Sequence, residues 1–106
     1  MLWKAMQPGL SGTDVMELLG FIPHFLWESD PRPAKEQIDA NYRHGGGWCA
    51  FPGFTMMPNG DLQYPGDPPT KLLAEAKFRD ETIRFYEHSW LAIIQKDGSW
   101  EVARID

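Results

Sequence analysis

Residues 71–105 hold three runs of strand-forming side chains cut by two short polar breaks, Arg79-Asp80-Glu81 and Asp97-Gly98. β-Branched and aromatic side chains fit a pleated sheet, and Asp-Gly accepts the dihedral angles of a tight turn. The stretch therefore predicts strands at 71–78, 82–95 and 100–105. A chain that spends its last third this way is committed to an antiparallel sheet, whose apolar face must be buried against another element.

The turns fix an expected register. If Asp97 and Gly98 form a two-residue turn, Gln95 faces Trp100, Ile93 faces Val102 and Leu91 faces Arg104. A like turn at Asp80-Glu81 sets Phe78 opposite Ile83, Ala76 opposite Phe85 and Ala74 opposite Glu87. Side-chain alternation then sorts two faces. Leu72, Ala74, Ala76, Phe78, Ile83, Phe85, Glu87, Ser89, Leu91, Ile93, Trp100, Val102 and Arg104 make the core side. Glu75, Lys77, Arg84, Tyr86, His88, Trp90, Ala92, Ile94, Glu101, Ala103 and Ile105 make the other, polar at one end and apolar at the other. That apolar end asks for a cover, either an N-terminal helix or a second copy of the chain. A bulge near His88 would swap the assignments beyond it.

Upstream, Pro58-Asn59-Gly60 between Phe54-Thr-Met-Met and Leu62-Gln-Tyr predicts a hairpin, and Tyr64-Pro-Gly-Asp-Pro-Pro69 a rigid loop. Ser11-Gly-Thr-Asp14, with Glu17 three residues after Asp14, opens a short helix that Gly20 can end. Pro23 then suits the first turn of a second helix through Trp27 and Glu28, and one kinked helix over 14–28 is the competing reading. After the stiff Asp30-Pro-Arg-Pro33 connector a surface helix is expected over 33–43, with a narrow stripe of Ala34, Ile38 and Tyr42, or of Gln37 and Asn41. The fold class that follows is α+β: N-terminal short helices packed on a mostly antiparallel, meander-type sheet of four to five strands.

With 106 residues, 42% of them hydrophobic and 13% aromatic, the chain has material for one core, so residues 1–106 are read as a single domain. A net charge of -5 with dispersed Lys and Arg argues against nucleic acid as a partner, since phosphate binding rests on clustered cations. The longest apolar stretch, residues 18–27, is interrupted by Gly20, Pro23 and His24 and falls short of the ~20 residues that span a bilayer. No signal-peptide pattern opens the chain, and a single cysteine gives no internal disulfide. The expectation is a soluble cytoplasmic protein with no membrane partner.

Chemistry is sparse. Glu87 on an apolar face should find Arg104 or Ser89, or shift its pKa upward, so Glu87 and Arg104 are the weak catalytic candidates against a carboxylate that merely reaches water at the sheet margin. His24, His44 and His88 lack ligand spacing, and Cys49 lacks partners, so neither metal nor cofactor is expected. The run Asn41-Tyr-Arg-His-Gly-Gly-Gly-Trp-Cys49 follows a helix, whereas phosphate cradles precede one, and its glycines serve as a cap and bend. It displays Tyr42, Arg43, His44 and Trp48 at one place. With His88 and Trp90 these are the candidate ligand or interface residues.

The stretches IPHFLWESDPRPAKEQIDANYRHGGGWCAFPGF, YPGDPP and FYEHSWLAIIQKDGSWEVARID resemble small uncharacterised bacterial proteins carried on mobile integron gene cassettes. That resemblance implies a free-standing small α+β protein of bacterial origin and transfers no catalytic residue. The Trp90 to Trp100 hairpin also resembles the end of the NTF2-like, SnoaL-type cone fold, which implies a small-ligand pocket between helices and sheet and, often, a dimer. The expected function is therefore a non-catalytic binding or interaction protein that self-associates as a dimer, or binds another protein or a small ligand. The alternative is a small pocket enzyme or ligand carrier using Glu87 and Arg104.

Overall fold

A computed structural model of the protein describes residues 4–5, 26–41 and 50–104. The expected helices over 14–28 and the Tyr42 to Cys49 run fall, apart from residues 26–28, outside the described residues. Within them, helix is confined to α1 (Ala34–Asn41) and a 3-10 turn at Glu87–Ser89, and the rest of the regular structure is antiparallel sheet.

Strands β1 (Lys4–Ala5), β4 (Leu72–Phe78), β5 (Glu81–Tyr86), β6 (Trp90–Ile94) and β7 (Trp100–Arg104) form one five-stranded sheet in that order. The last four are a meander, each strand pairing with the next in sequence. Strands β2 (Thr55–Met56) and β3 (Leu62–Gln63) make a separate hairpin.

The expected single strand over 82–95 is in fact two strands folded back on one another, with Phe85 opposite Leu91 and Ile83 opposite Ile93. Two successive left-handed residues, His88 (φ 63°) and Ser89 (φ 65°), make the reversal. Side chains with a Cβ resist that conformation, so it needs outside support. Arg104 Nε donates to the His88 carbonyl at 3.1 Å, and Glu87 N donates to the Lys71 carbonyl at 3.0 Å.

The Asp97-Gly98 turn is one residue longer than expected. Gln95 N donates to Ser99 O at 2.7 Å and Gly98 N to Gln95 O at 3.0 Å, enclosing Lys96, Asp97 and Gly98. Pro58-Asn59-Gly60 repeats the pattern between Met57 and Asp61. In each the middle side chain accepts from the amide two residues on, Asn59 from Asp61 N at 3.0 Å and Asp97 from Ser99 N at 2.9 Å. The glycine alone takes a positive φ, +95° at Gly60 and +89° at Gly98. A three-residue loop ending in a left-handed glycine gives this geometry, where Asp97-Gly98 suggested a two-residue turn.

That extra residue has a large consequence. A one-residue slip turns every side chain of β7 over, so Trp100, Val102 and Arg104 share a face with Ala92, while Glu101 and Ala103 join Ile93 and Leu91. The β4–β5 turn is Arg79-Asp80 instead of Asp80-Glu81, setting Phe78 opposite Glu81, and here the expected faces survive. A bulge between Leu72 and Ala74 sends Leu72 to the far face and Leu73 to the near one.

One face of the meander buries Ala74, Phe78, Ile83, Phe85, Leu91 and Ile93 against Leu26, Ala34 and Ile38. Helix α1 is therefore only partly a surface element: Ala34, Gln37 and Ile38 are sealed from solvent. Buried Gln37 is satisfied, accepting from Trp27 N at 2.7 Å and donating to Arg32 O at 2.8 Å. Buried Glu81 accepts the Ala34 amide at 3.2 Å, as a helix N-terminus wants. The other face packs Leu72, Tyr86, Ala92 and Val102 under Leu62, with Phe54, Met56 and Trp90 partly buried around them.

Candidate binding surface

The β2–β3 hairpin is held down by its own glycine turn. Tyr86, fully buried, donates its hydroxyl to the Gly60 carbonyl at 2.7 Å. Burial pushes the Tyr86 phenol above its ordinary pKa, keeping it the donor. A Cβ at Gly60 would lie 3.0 Å from Leu72 Cδ2, so the turn backbone rests directly on the sheet. Beside it Arg84 bonds Glu75 through Nε at 2.8 Å and Met56 Sδ through Nη1 at 3.0 Å.

Two-residue strands cover only the middle of the face. Beyond them four rings close the end of the sheet: Phe51, Phe54, Tyr64 and Trp90. Centroid separations are 4.9 Å for Phe54–Trp90, 5.1 Å for Phe51–Trp90, 5.3 Å for Phe54–Tyr64, 6.1 Å for Phe51–Phe54 and 6.2 Å for Phe51–Tyr64. All are edge-to-face, the arrangement that ring quadrupoles favour. Arg104 Cζ lies 5.8 Å from the Trp90 ring centroid at the cluster's rim.

The cluster is packed on one side and open on the other. Phe51 stays 48% exposed, and Tyr64 and Trp100 36% each. Between Phe51, Pro52, Gly53 and Phe54 on one wall and Trp100 and Val102 on the other runs a groove of about 390 Å³. Trp100 also borders a second groove of about 310 Å³ with Lys35, Gln95, Ser99 and Glu101, across which Lys35 and Glu101 pair at 2.6 Å.

Of the residues singled out from sequence, Trp90 lies at the heart of this cluster, and Arg104 beside it. His88 is exposed on the neighbouring 3-10 turn. Glu87 sits in that turn, half-buried, and its Oε1 accepts the Lys71 amide at 2.9 Å. It is at the sheet margin instead of on the apolar face, because the chain reverses before alternation can carry it there. Tyr42, Arg43, His44 and Trp48 lie outside the described residues. Trp100 is one of the five tryptophans that, where exposed, the sequence offers as interface anchors, whereas Phe51, Phe54 and Tyr64 carry no such reading. Their signal was Phe51-Pro-Gly-Phe54 beside Tyr64-Pro65, aromatic side chains flanking stiff turns.

Among the described residues no group of three or more His, Cys, Asp or Glu is placed to hold a metal, and no helix is long and apolar enough to cross a membrane. No known protein family, characterised protein or solved structure matches the chain.

Proposed function

We propose that this is a soluble cytoplasmic α+β binding protein without catalytic activity, which associates with a second copy of itself through the aromatic end of the sheet. One observation carries the reading: four interlocked rings, one of them Phe51 at 48% exposure, lie beside the similarly open Trp100 in a chain of this size. Exposed aromatic groups are costly to leave in water, and buried Trp, Tyr and Arg anchors dominate association energetics. The patch holds all three, with one mostly apolar groove between Phe51 and Trp100.

Sedimentation across ~1–100 µM tests this. A dimer is expected, and Phe51→Ser should weaken it at least tenfold while leaving the melting temperature within a few degrees. A wild-type monomer throughout that range ends the proposal.

The groove favours a second reading. Its volume of about 390 Å³ falls within the ~300–1,000 Å³ of small-ligand sites, and its walls are mostly apolar. In this reading the protein is a ligand carrier or small pocket enzyme, with Glu101 the carboxylate that lines the groove and Arg104 and Glu87 standing outside its walls, Arg104 against Trp90 and Glu87 on the Lys71 amide. Anilinonaphthalene sulfonate fluorescence separates the two. Binding by the diluted monomer that is lost in Trp100→Ala supports a ligand site, and binding unaffected by that change removes it.

A further inference from the structure

Among the described residues strand β7 is the last of the sheet, so one side of its backbone faces away from β6. Antiparallel pairs alternate between residues that exchange hydrogen bonds and residues that do not. The bond from Gln95 N to Ser99 O makes 95 and 99 an exchanging pair, so Ile94 and Trp100 are a non-exchanging one. Counting on, Glu101 and Ala103 bond back to β6, while the N–H and C=O of Trp100, Val102 and Arg104 point off the edge. The Phe51 amide confirms the phase by donating to Val102 O at 2.6 Å from outside the sheet.

That bond also cuts the edge short. A foreign extended peptide gains its affinity from a run of main-chain bonds, and Val102 interrupts the run after Trp100. A two-fold axis needs less. Two copies of one residue facing each other in an antiparallel pair exchange two hydrogen bonds and bring their side chains together.

We infer that the dimer forms by antiparallel pairing of the β7 edges about a two-fold axis at Trp100, each Trp100 N–H donating to the partner's Trp100 carbonyl. The paired indoles lie on the face that carries the aromatic cluster, continuing it across the axis. The groove between Phe51 and Trp100 opens at this edge and receives the partner's turn. The inference rests on the self-association reading and specifies its geometry.

Trp100→Pro is the sharp test. Proline deletes an N–H that points outward, and proline is tolerated on edge strands for that reason, but it also deletes the indole, so Trp100→Ala, which loses the indole alone, is the control. The β6–β7 ladder is expected to persist in both, with circular dichroism unchanged, while dimer affinity falls at least tenfold further in Trp100→Pro than in Trp100→Ala; equal losses overturn the inference. Amide hydrogen exchange supplies a second readout should that variant fail to fold. Trp100 N–H in the wild type should be protected at least tenfold more at a concentration well above the dimer midpoint than well below it.

A folded Trp100→Pro dimer of wild-type affinity overturns the inference. So does Trp100 exchange that is indifferent to concentration, whether fast throughout or already slow in the monomer. If Phe51→Ser dissociates the dimer in either case, the aromatic interface stands and only the edge pairing falls. A wild-type monomer removes both.

Discussion

The two faces of one sheet are closed by different means. On one, an eight-residue helix lays Ala34 and Ile38 in one buried cluster with Ala74, Phe78, Ile83, Phe85 and Leu91, whose members are at most 7% exposed, with Trp27 left 53% exposed at its margin. On the other, a hairpin of two-residue strands covers Tyr86 and Val102 and leaves the end of the sheet to rings that cover one another. A helix offers a continuous stripe with its backbone bonds satisfied internally, whereas so short a hairpin covers little more than its own width. The same β-meander is thus finished on one side and open on the other, and the open side is where recognition has room to occur.

The largest test of this contrast compares two phenylalanines. Phe85→Ala on the closed face empties a site with 1% exposure and should cost roughly 3–5 kcal/mol, enough to unfold much of a small domain. Phe51→Ala removes a ring of the same size and should cost the monomer under about 1 kcal/mol, its effect appearing in association instead. Urea denaturation of both variants below the dimer midpoint measures the difference. Equal losses would show that the aromatic end is core.

Why the open face was hard to read from sequence follows from particular residues. Asn59-Gly60 and Asp97-Gly98 marked their turns correctly but left loop length undecided. At Asp97-Gly98 one additional residue moved Trp100, Val102 and Arg104 from the expected core side to the aromatic one. The reversal at Glu87–Ser89 contains no Gly, Pro, Asn or Asp, so nothing local announced it. It is imposed by Arg104 and Lys71, distant in sequence. By contrast the start of α1 was legible to within one residue, because Pro33 and the Ala34 to Ile38 spacing are local signals, while residues 42–43 of the expected helix lie outside the described residues. The closed-face alternation of Ala74, Ala76, Phe78, Ile83, Phe85, Leu91 and Ile93 also stood, since neither the β4–β5 turn shift nor the reversal changed its parity.

Next in size is Gly53→Ala, at the wall of the groove. Gly53 holds a φ of +100°, and an added Cβ would sit 2.9 Å from Tyr64 Cε2. Strain of this kind costs on the order of 1–3 kcal/mol, and here it can be relieved by swinging Tyr64 out of the cluster. The expected result is a small fall in melting temperature with altered Tyr64 ring resonances by NMR. An unshifted Tyr64 means that the loop does not hold the cluster in place.

Tyr86→Phe probes how the hairpin is anchored, without touching the rings. It strips the Gly60 carbonyl of its 2.7 Å donor beneath the turn and should cost about 1–2 kcal/mol. Faster amide exchange is expected at Met57 and Gly60, whose bonds close that turn, with the closed face unaffected. Loss of protection spread evenly over β4 to β6 would mean that the two faces open together and that the contrast has no dynamic counterpart.

The smallest effect lies at the entrance to the closed face. Asp30 accepts from Arg32 through both carboxylate oxygens, and that guanidinium, with the Arg32 amide, lowers its pKa from 3.8 to about 2. Arg79 ties the same turn by donating to the carbonyls of Glu28, Asp30 and Arg32. Because the folded value lies below the unfolded one, ionised Asp30 stabilises the fold above pH 3.8, and this contribution fades as pH falls through about 2. The pair is open to water, so the effect on melting is slight and the carboxyl resonance is the better reporter. In Arg32→Ala that resonance should titrate close to 3.8, while the aromatic cluster's chemical shifts stay put. Movement of the Trp90 or Phe54 rings with Asp30 protonation would reveal coupling between the faces that their separate packing does not provide.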